Sequence, residues 1–512
     1  MKIFKASATI GMFTLLSRIM GMVRDLLMAI VVGVSMISDS FFVAFRFPNM
    51  FRALFAEGAM NSAFVPIFAK TLNKSKKDAV LFAKSVGTLL LLWIVAFTIL
   101  MIVFMGDVMS IQAMGFATDE NKFDLTVNLA QVMFPYLVFM VMNSLFASIL
   151  NSFEDFALPA FTPIILNICL ILTLVGVYCD VISLTGYELA IAVLVAGILQ
   201  AGILFIGCIK YGVVPFTKSI KITTNVKDFF KKVLPVVMGS SLLQLNIFIG
   251  TILATTLSAG SVSYLYYADR LSQLPLGVIG IAVGIALIPM LSKSIAKNDK
   301  QETINNQSDA IIFAMFLTLP ATVAFIVMAL PIISGLFMYG NFGLNDTYKT
   351  AYALQAFAIG LPAFVLIKVL SPVFFARGNT TTPVRISILC MVLNIALSIW
   401  LMTTMYHVGI ALATSISAWV NVMLLLLNVR KQNIELLRKG TMAVLTKMFI
   451  ISVIMGAIVY QLSNIYFDNL INGDYKVLYL MIIIITGLVV YFGMAIGSGL
   501  INKSKIKSAL KK

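Results

Sequence analysis

Histidine is nearly absent: His407 is the only one in 512 residues, and charged residues make up just 11% of the chain. A lone imidazole builds neither a His-based zinc site nor a Ser-His-Asp arrangement. The four cysteines, Cys169, Cys179, Cys208 and Cys390, have no metal-ligand spacing and sit in or beside apolar runs, so they read as small buried hydrophobes. No glycine-rich phosphate loop leads into Lys and Ser/Thr, which argues against ATP coupling within the chain. No acidic pair stands at an aqueous rim in a metal-binding pattern, which disfavours a membrane glycosyltransferase. A cleavable signal peptide is not expected either, since the first apolar run carries Arg18, Arg24 and Asp25. The sequence therefore reads as a non-enzyme, with no cofactor.

What is abundant is apolar surface: 60% of the residues are hydrophobic, more than a soluble domain of this length could bury. Apolar runs of about 20 residues imply an all-α integral membrane protein with roughly fourteen spans. Their centres fall near residues 20, 50, 93, 137, 168, 199, 243, 278, 323, 362, 393, 418, 452 and 488. The net charge of +16 is distributed by side. Lys70, Lys74, Lys76 and Lys77 follow span two, Lys210 to Lys232 follow span six, and Arg430 to Lys439 follow span twelve. Asp107, Asp119, Glu120, Asp124, Asp180, Asp346, Asp468 and Asp474 follow odd-numbered spans. The positive-inside rule then puts both termini in the cytoplasm. A nucleic-acid site would gather its basic residues on one face with interleaved aromatics, so nucleic acid is not an expected partner.

The chain also aligns with itself. Arg46 meets Arg270 at a shift of 224, Pro66 meets Pro289 at 223, Asn167 meets Asn394 at 227, and Gln200 meets Asn421 at 221. Two copies of a six-helix unit follow: an N-terminal lobe over 1–215 and a C-terminal lobe over 225–431. Spans thirteen and fourteen, 440–502, are an addition, and 503–512 form a basic tail. Six spans per copy give both copies the same orientation, related by an axis along the membrane normal, with a cavity between them.

Charge inside the spans marks that cavity, because an arginine in hydrocarbon is costly unless it faces water or a partner. Along span one, Thr14, Ser17, Arg18, Gly21, Arg24 and Asp25 recur at steps of three and four, while Met12, Leu16, Met20, Val23, Leu27 and Ile30 form the opposite face. Span two repeats the pattern with Asp39, Arg46, Asn49 and Arg52, and the second lobe adds Asp269, Arg270, Gln273 and Lys368. At membrane depth Arg18, Arg24, Arg46, Arg52, Arg270 and Lys368 outnumber Asp25, Asp39, Glu57 and Asp269 by two. A net cationic cavity lined with arginine forks suits a pyrophosphate better than a carboxylate or a drug cation. The alternative, that Asp25 and Asp269 lock with the arginines beside them, stays open. Glu57, Gln273 and Lys368 are assigned to a gate or rim.

The run Arg46-Phe-Pro-Asn-Met-Phe-Arg-Ala-Leu-Phe-Ala-Glu-Gly-Ala-Met-Asn-Ser-Ala-Phe-Val-Pro66 resembles the lipid II flippase family, MurJ (also called MviN). Ser17-Arg-Ile-Met-Gly-Met-Val-Arg-Asp25 and Tyr267-Ala-Asp-Arg-Leu271 resemble the same family, and the likeness extends over the whole chain. The resemblance implies a flippase of the multidrug/oligosaccharidyl-lipid/polysaccharide exporter superfamily. Its substrate would be lipid II, an undecaprenyl-pyrophosphate-linked disaccharide-pentapeptide, carried from the inner to the outer leaflet of the bacterial cytoplasmic membrane. By family motif, Arg18, Arg24, Asp25, Asp39, Arg52 and Arg270 would line the cavity, and spans thirteen and fourteen would hold the polyprenyl tail. Members commonly carry Glu where this chain has Gln273. Some hold sodium among spans seven, eleven and twelve, where this chain has no acidic residue inside the spans, so proton, sodium or membrane potential all stay open as the driving force. Partners would be lipid II, membrane lipids and the cell-wall synthesis machinery, with the protein a monomer. The alternatives are another exporter of the superfamily or a non-transporting cell-wall scaffold.

Overall fold

The computed structural model describes residues 2–54, 60, 62–297, 299–432, 435–471, 473 and 475–500. Glu57 and the 503–512 tail lie outside the described residues. Every expected span centre falls inside a helix, and no strand occurs among the described residues. Nine helical stretches there are long and apolar enough to cross a membrane. Packing divides the chain into two units, Met1–Ser263 and Tyr264–Lys512.

The first unit contains α1 (Lys2–Val31), α2 (Met36–Ala53), α3 (Val65–Leu72), α4 (Lys76–Val103), α5 (Met105–Gln112), α6 (Glu120–Met133), α7 (Tyr136–Ser152), α8 (Ala157–Tyr178), α9 (Tyr187–Lys210) and α10 (Thr224–Thr255). Helix α1 is amphipathic in the inverted sense a membrane requires. Met12, Leu15, Leu16 and Ile19 are exposed, whereas Gly21 and Asp25 are buried. Its polar face lies along α8. Ser35 begins α2 with a reciprocal capping box to Ser38, satisfying two backbone donors at once. Pro48 removes one amide from α2, and one turn earlier the buried Gln112 donates to the Val43 carbonyl at 2.6 Å, bracing the helix beside the break. Beyond it, Leu54, Met60 and residues 62–64 wind as π-helix, a geometry frequent at functional sites. Helix α10, which the duplication assigns to the second lobe, packs on α2, α4 and α5 in this unit.

The second unit holds nearly all of α11 (Ser261–Ala296), then α12 (Lys300–Val327), α13 (Ala329–Phe337), α14 (Leu344–Phe375), α15 (Thr381–Lys431), α16 (Thr441–Ile465), α17 (Phe467–Ile471) and α18 (Lys476–Gly497). Fifty-one continuous helical residues in α15 would run about 76 Å, over twice the hydrocarbon thickness of about 30 Å. The chain doubles back instead. Tyr406 has φ 50° and ψ −134°, and a Cβ on Gly409 would lie 2.6 Å from the Leu401 carbonyl, a contact impossible in a straight helix. The result is a helical hairpin that supplies spans eleven and twelve. Leu291, Met315, Leu370, Phe374, Val422 and Leu425 form the core that joins α11, α12, α14 and α15. Helices α16 and α18 are moored to α12: a Cβ on Gly456 would meet Val323 at 2.3 Å, and the Tyr491 hydroxyl donates to the Phe316 carbonyl at 2.7 Å. Close backbone approach at small residues is how membrane helices gain contact without a hydrophobic driving force.

Candidate substrate site

The inward face of α1 presents Arg24 to α8. Its Nε and Nη2 donate to Asp25 Oδ1 at 3.0 and 2.7 Å, and its Nη1 donates to Asn167 Oδ1 at 3.1 Å. Asp25 is 1% exposed and Arg24 14%. The amide of Asn167 also spans back along α1, its Nδ2 donating to the Ser17 carbonyl at 3.0 Å. The neighbouring pair thus does form an ion pair, one of the two roles open for Asp25 from sequence. Arg18 projects exposed on the same helix.

Lower on α2, Arg46, Asn49 and Arg52 are half-buried, and Arg52 Nε donates to Asn49 Oδ1 at 2.9 Å. Tyr136 of α7 is buried beside Phe45 of α2, their ring centroids 6.1 Å apart.

Asp39 departs from the expectation of a substrate-facing carboxylate. It is 1% exposed, and both oxygens are engaged. Lys122 Nζ of α6 and the Gly260 amide donate to Oδ2, each at 2.8 Å. The Ser263 amide and hydroxyl donate to Oδ1 at 3.1 and 2.7 Å. Gly260, at φ 89°, turns the chain into α11, so Asp39 serves as the N-terminal acceptor of a helix remote in sequence. Lys122, 6% exposed with its ammonium 4.0 Å from the Phe116 ring centroid, was not singled out from sequence because it sits among Asp119, Glu120 and Asp124. Asn167 entered the sequence reading as a repeat match and not as a site residue. Its signals were a lone amide in an apolar run, four residues after Pro163, and its repeat match Asn394, which is also buried.

In the second unit Asp269 and Arg270 are half-buried on α11, and Gln273, one turn on, donates to Asp269 Oδ2 at 2.5 Å. A glutamate there would repel Asp269 where the amide instead satisfies it. Lys368 is exposed on α14. Nearer the start of α11, Tyr264 donates to Asp346 Oδ1 at 2.8 Å and packs against His407, whose ring nitrogen bonds the Lys349 carbonyl at 2.9 Å. The sole histidine thus belongs to the packing between α11, α14 and the α15 turn.

The sequence profile of lipid II flippase MurJ matches residues 28–481. A probable lipid II flippase MurJ of Rhizobium tropici is 38% identical over 520 residues, covering 100% of this chain and 97% of its own. A solved lipid II flippase MurJ in an inward closed conformation superposes with a TM-score of 0.81 at 29% identity, covering 97% of this chain and 99% of that one. An inward-facing multidrug resistance MATE family transporter of the MOP superfamily superposes at 0.67 with 16% identity over 81% of this chain and 94% of that one, a likeness of fold alone. With the profile covering most of its length and a relative of this identity aligned end to end, the chain belongs to the lipid II flippase MurJ family.

Proposed function

We propose that this protein carries lipid II from the inner to the outer leaflet of the bacterial cytoplasmic membrane by alternating access, without transforming it chemically. The observation that carries the reading is the arginine face of α1: a guanidinium pinned by Asp25 and Asn167 inside a helix whose other face is apolar and exposed. A polar head group must pass about 30 Å of hydrocarbon, and charge-assisted bonds from arginine forks replace the water its phosphates lose on the way. Arg18, Arg24, Arg46, Asn49 and Arg52 supply these donors from the first unit. Arg270 does so from the second, with Asp269 and Gln273 beside it. Asp25 tunes Arg24, while Lys368, exposed on α14, belongs to the rim. Helices α16 and α18 hold the polyprenyl tail. The protein acts as a monomer with both termini in the cytoplasm.

Depleting the protein should lower the fraction of lipid II open to an impermeant lipid II-cleaving enzyme added outside, while total lipid II rises. An unchanged external fraction at full depletion defeats the assignment. Topology has its own test. Lys74, exposed at the α3–α4 turn, changed to Cys should resist an impermeant maleimide in intact cells and react once they are permeabilised. Val181→Cys, at a position 80% exposed beyond α8, should label in intact cells. The reverse pattern would invert the orientation.

A further inference from the structure

Asn167, which holds Arg24 from a second helix, has a geometry too specific for filler. It lies on α8, 6% exposed, in a helix otherwise dominated by apolar side chains. Its amide makes two bonds of opposite sense to α1: Oδ1 accepts from Arg24 Nη1 at 3.1 Å, and Nδ2 donates to the Ser17 carbonyl at 3.0 Å. A guanidinium only donates and a carbonyl only accepts, so the amide has one allowed orientation here. Aspartate could accept from Arg24 but would set its second oxygen against the Ser17 carbonyl; leucine could do neither.

Asp25 cannot fix Arg24 alone. Arg24 Nε and Nη2 both donate to its Oδ1, and Asp25 belongs to the same helix as its neighbour. That pair moves with α1 as a unit. Asn167 adds the contact from a second helix, and by gripping α1 two turns earlier at Ser17 it also sets the rotation of α1 on α8. A binding group is held to working precision only when its supporting contacts come from rigid elements around it.

We infer that Asn167 is a positioning residue that orients the Arg24 guanidinium for the substrate's pyrophosphate, an inference that rests on the lipid II reading. Its removal leaves no buried charge stranded, because Arg24 keeps Asp25 and the Ser17 carbonyl lies within a helix. The fold should tolerate the change while recognition does not.

The test is flipping of fluorescent lipid II in proteoliposomes across a range of lipid II mole fractions, with thermal melting of the same preparations. Asn167→Ala should raise the half-saturating lipid II fraction about tenfold, the loss of one charge-assisted bond, with the maximal rate little changed. Asn167→Asp should transport less well than Asn167→Ala, because a second carboxylate on Arg24 repels pyrophosphate. A purely structural residue would give transport losses that follow the melting losses. Half-saturation of Asn167→Ala within twofold of wild type, or transport by Asn167→Asp equal to or better than that of Asn167→Ala, overturns the inference. A wild-type protein that flips no lipid II overturns the functional reading itself and the inference with it.

Discussion

Asp39→Ala should be the most destabilising carboxylate substitution in the first unit, costing about 3–5 kcal/mol, the range for breaking a buried ion pair from one side. The change strands the Lys122 ammonium at 6% exposure and leaves the Gly260 and Ser263 amides without their acceptor. Asp39→Asn should be milder, since an amide oxygen still accepts from the start of α11 although the cation loses its counter-charge. Lys122→Met combined with Asp39→Ala should recover much of the loss, because deleting both charges is cheaper than isolating one. The measurement is the temperature at which the detergent-purified protein loses its monodisperse peak, with wild type, Asp39→Ala, Lys122→Met and the double variant read as a cycle. A single Asp39→Ala variant melting with wild type would mean that the four bonds to its carboxylate contribute nothing net.

Asp39 also shows where sequence stops. Its place on the polar stripe of span two was legible from spacing, and so were the arginines along α1 and α2, because charge in a membrane helix has few places to go. Spacing says which face a side chain shares, not what stands opposite it. The partner that engages Asp39 lies 83 residues away on α6, and the helix terminus it completes lies 221 residues away. Neither distance leaves a periodic trace. The α15 hairpin was legible as two spans because a single crossing cannot be so long, whereas the strained residue at its bend is Tyr406, with Gly409 three residues on as the one local sign of a turn. The self-alignment predicts a repeated six-helix unit. Packing follows contact instead, and α10 lies against α2, α4 and α5.

Arg24→Ala should lower lipid II flipping by roughly a hundredfold or more while leaving insertion intact, since two charge-assisted bonds to phosphate are each worth about 1.5–3 kcal/mol. The alanine variant alone is ambiguous, because it also removes the cation 2.7 Å from Asp25, which is 1% exposed. Arg24→Lys separates the two effects. Lysine keeps a positive charge for Asp25, so melting should stay near wild type, but a point charge cannot reproduce the planar fork that engages Asn167 and Asp25 together and meets a pyrophosphate on two oxygens. Flipping should therefore return only in part, to a level between alanine and wild type. Arg270→Ala and Arg270→Lys should repeat the pattern if the second unit contributes to the same anion. Growth at the wild-type rate for Arg24→Ala, expressed at normal level in a strain lacking the native copy, would remove this arginine from the substrate site. Full activity for Arg24→Lys would show that charge alone, and not the geometry of the guanidinium, is what the site requires.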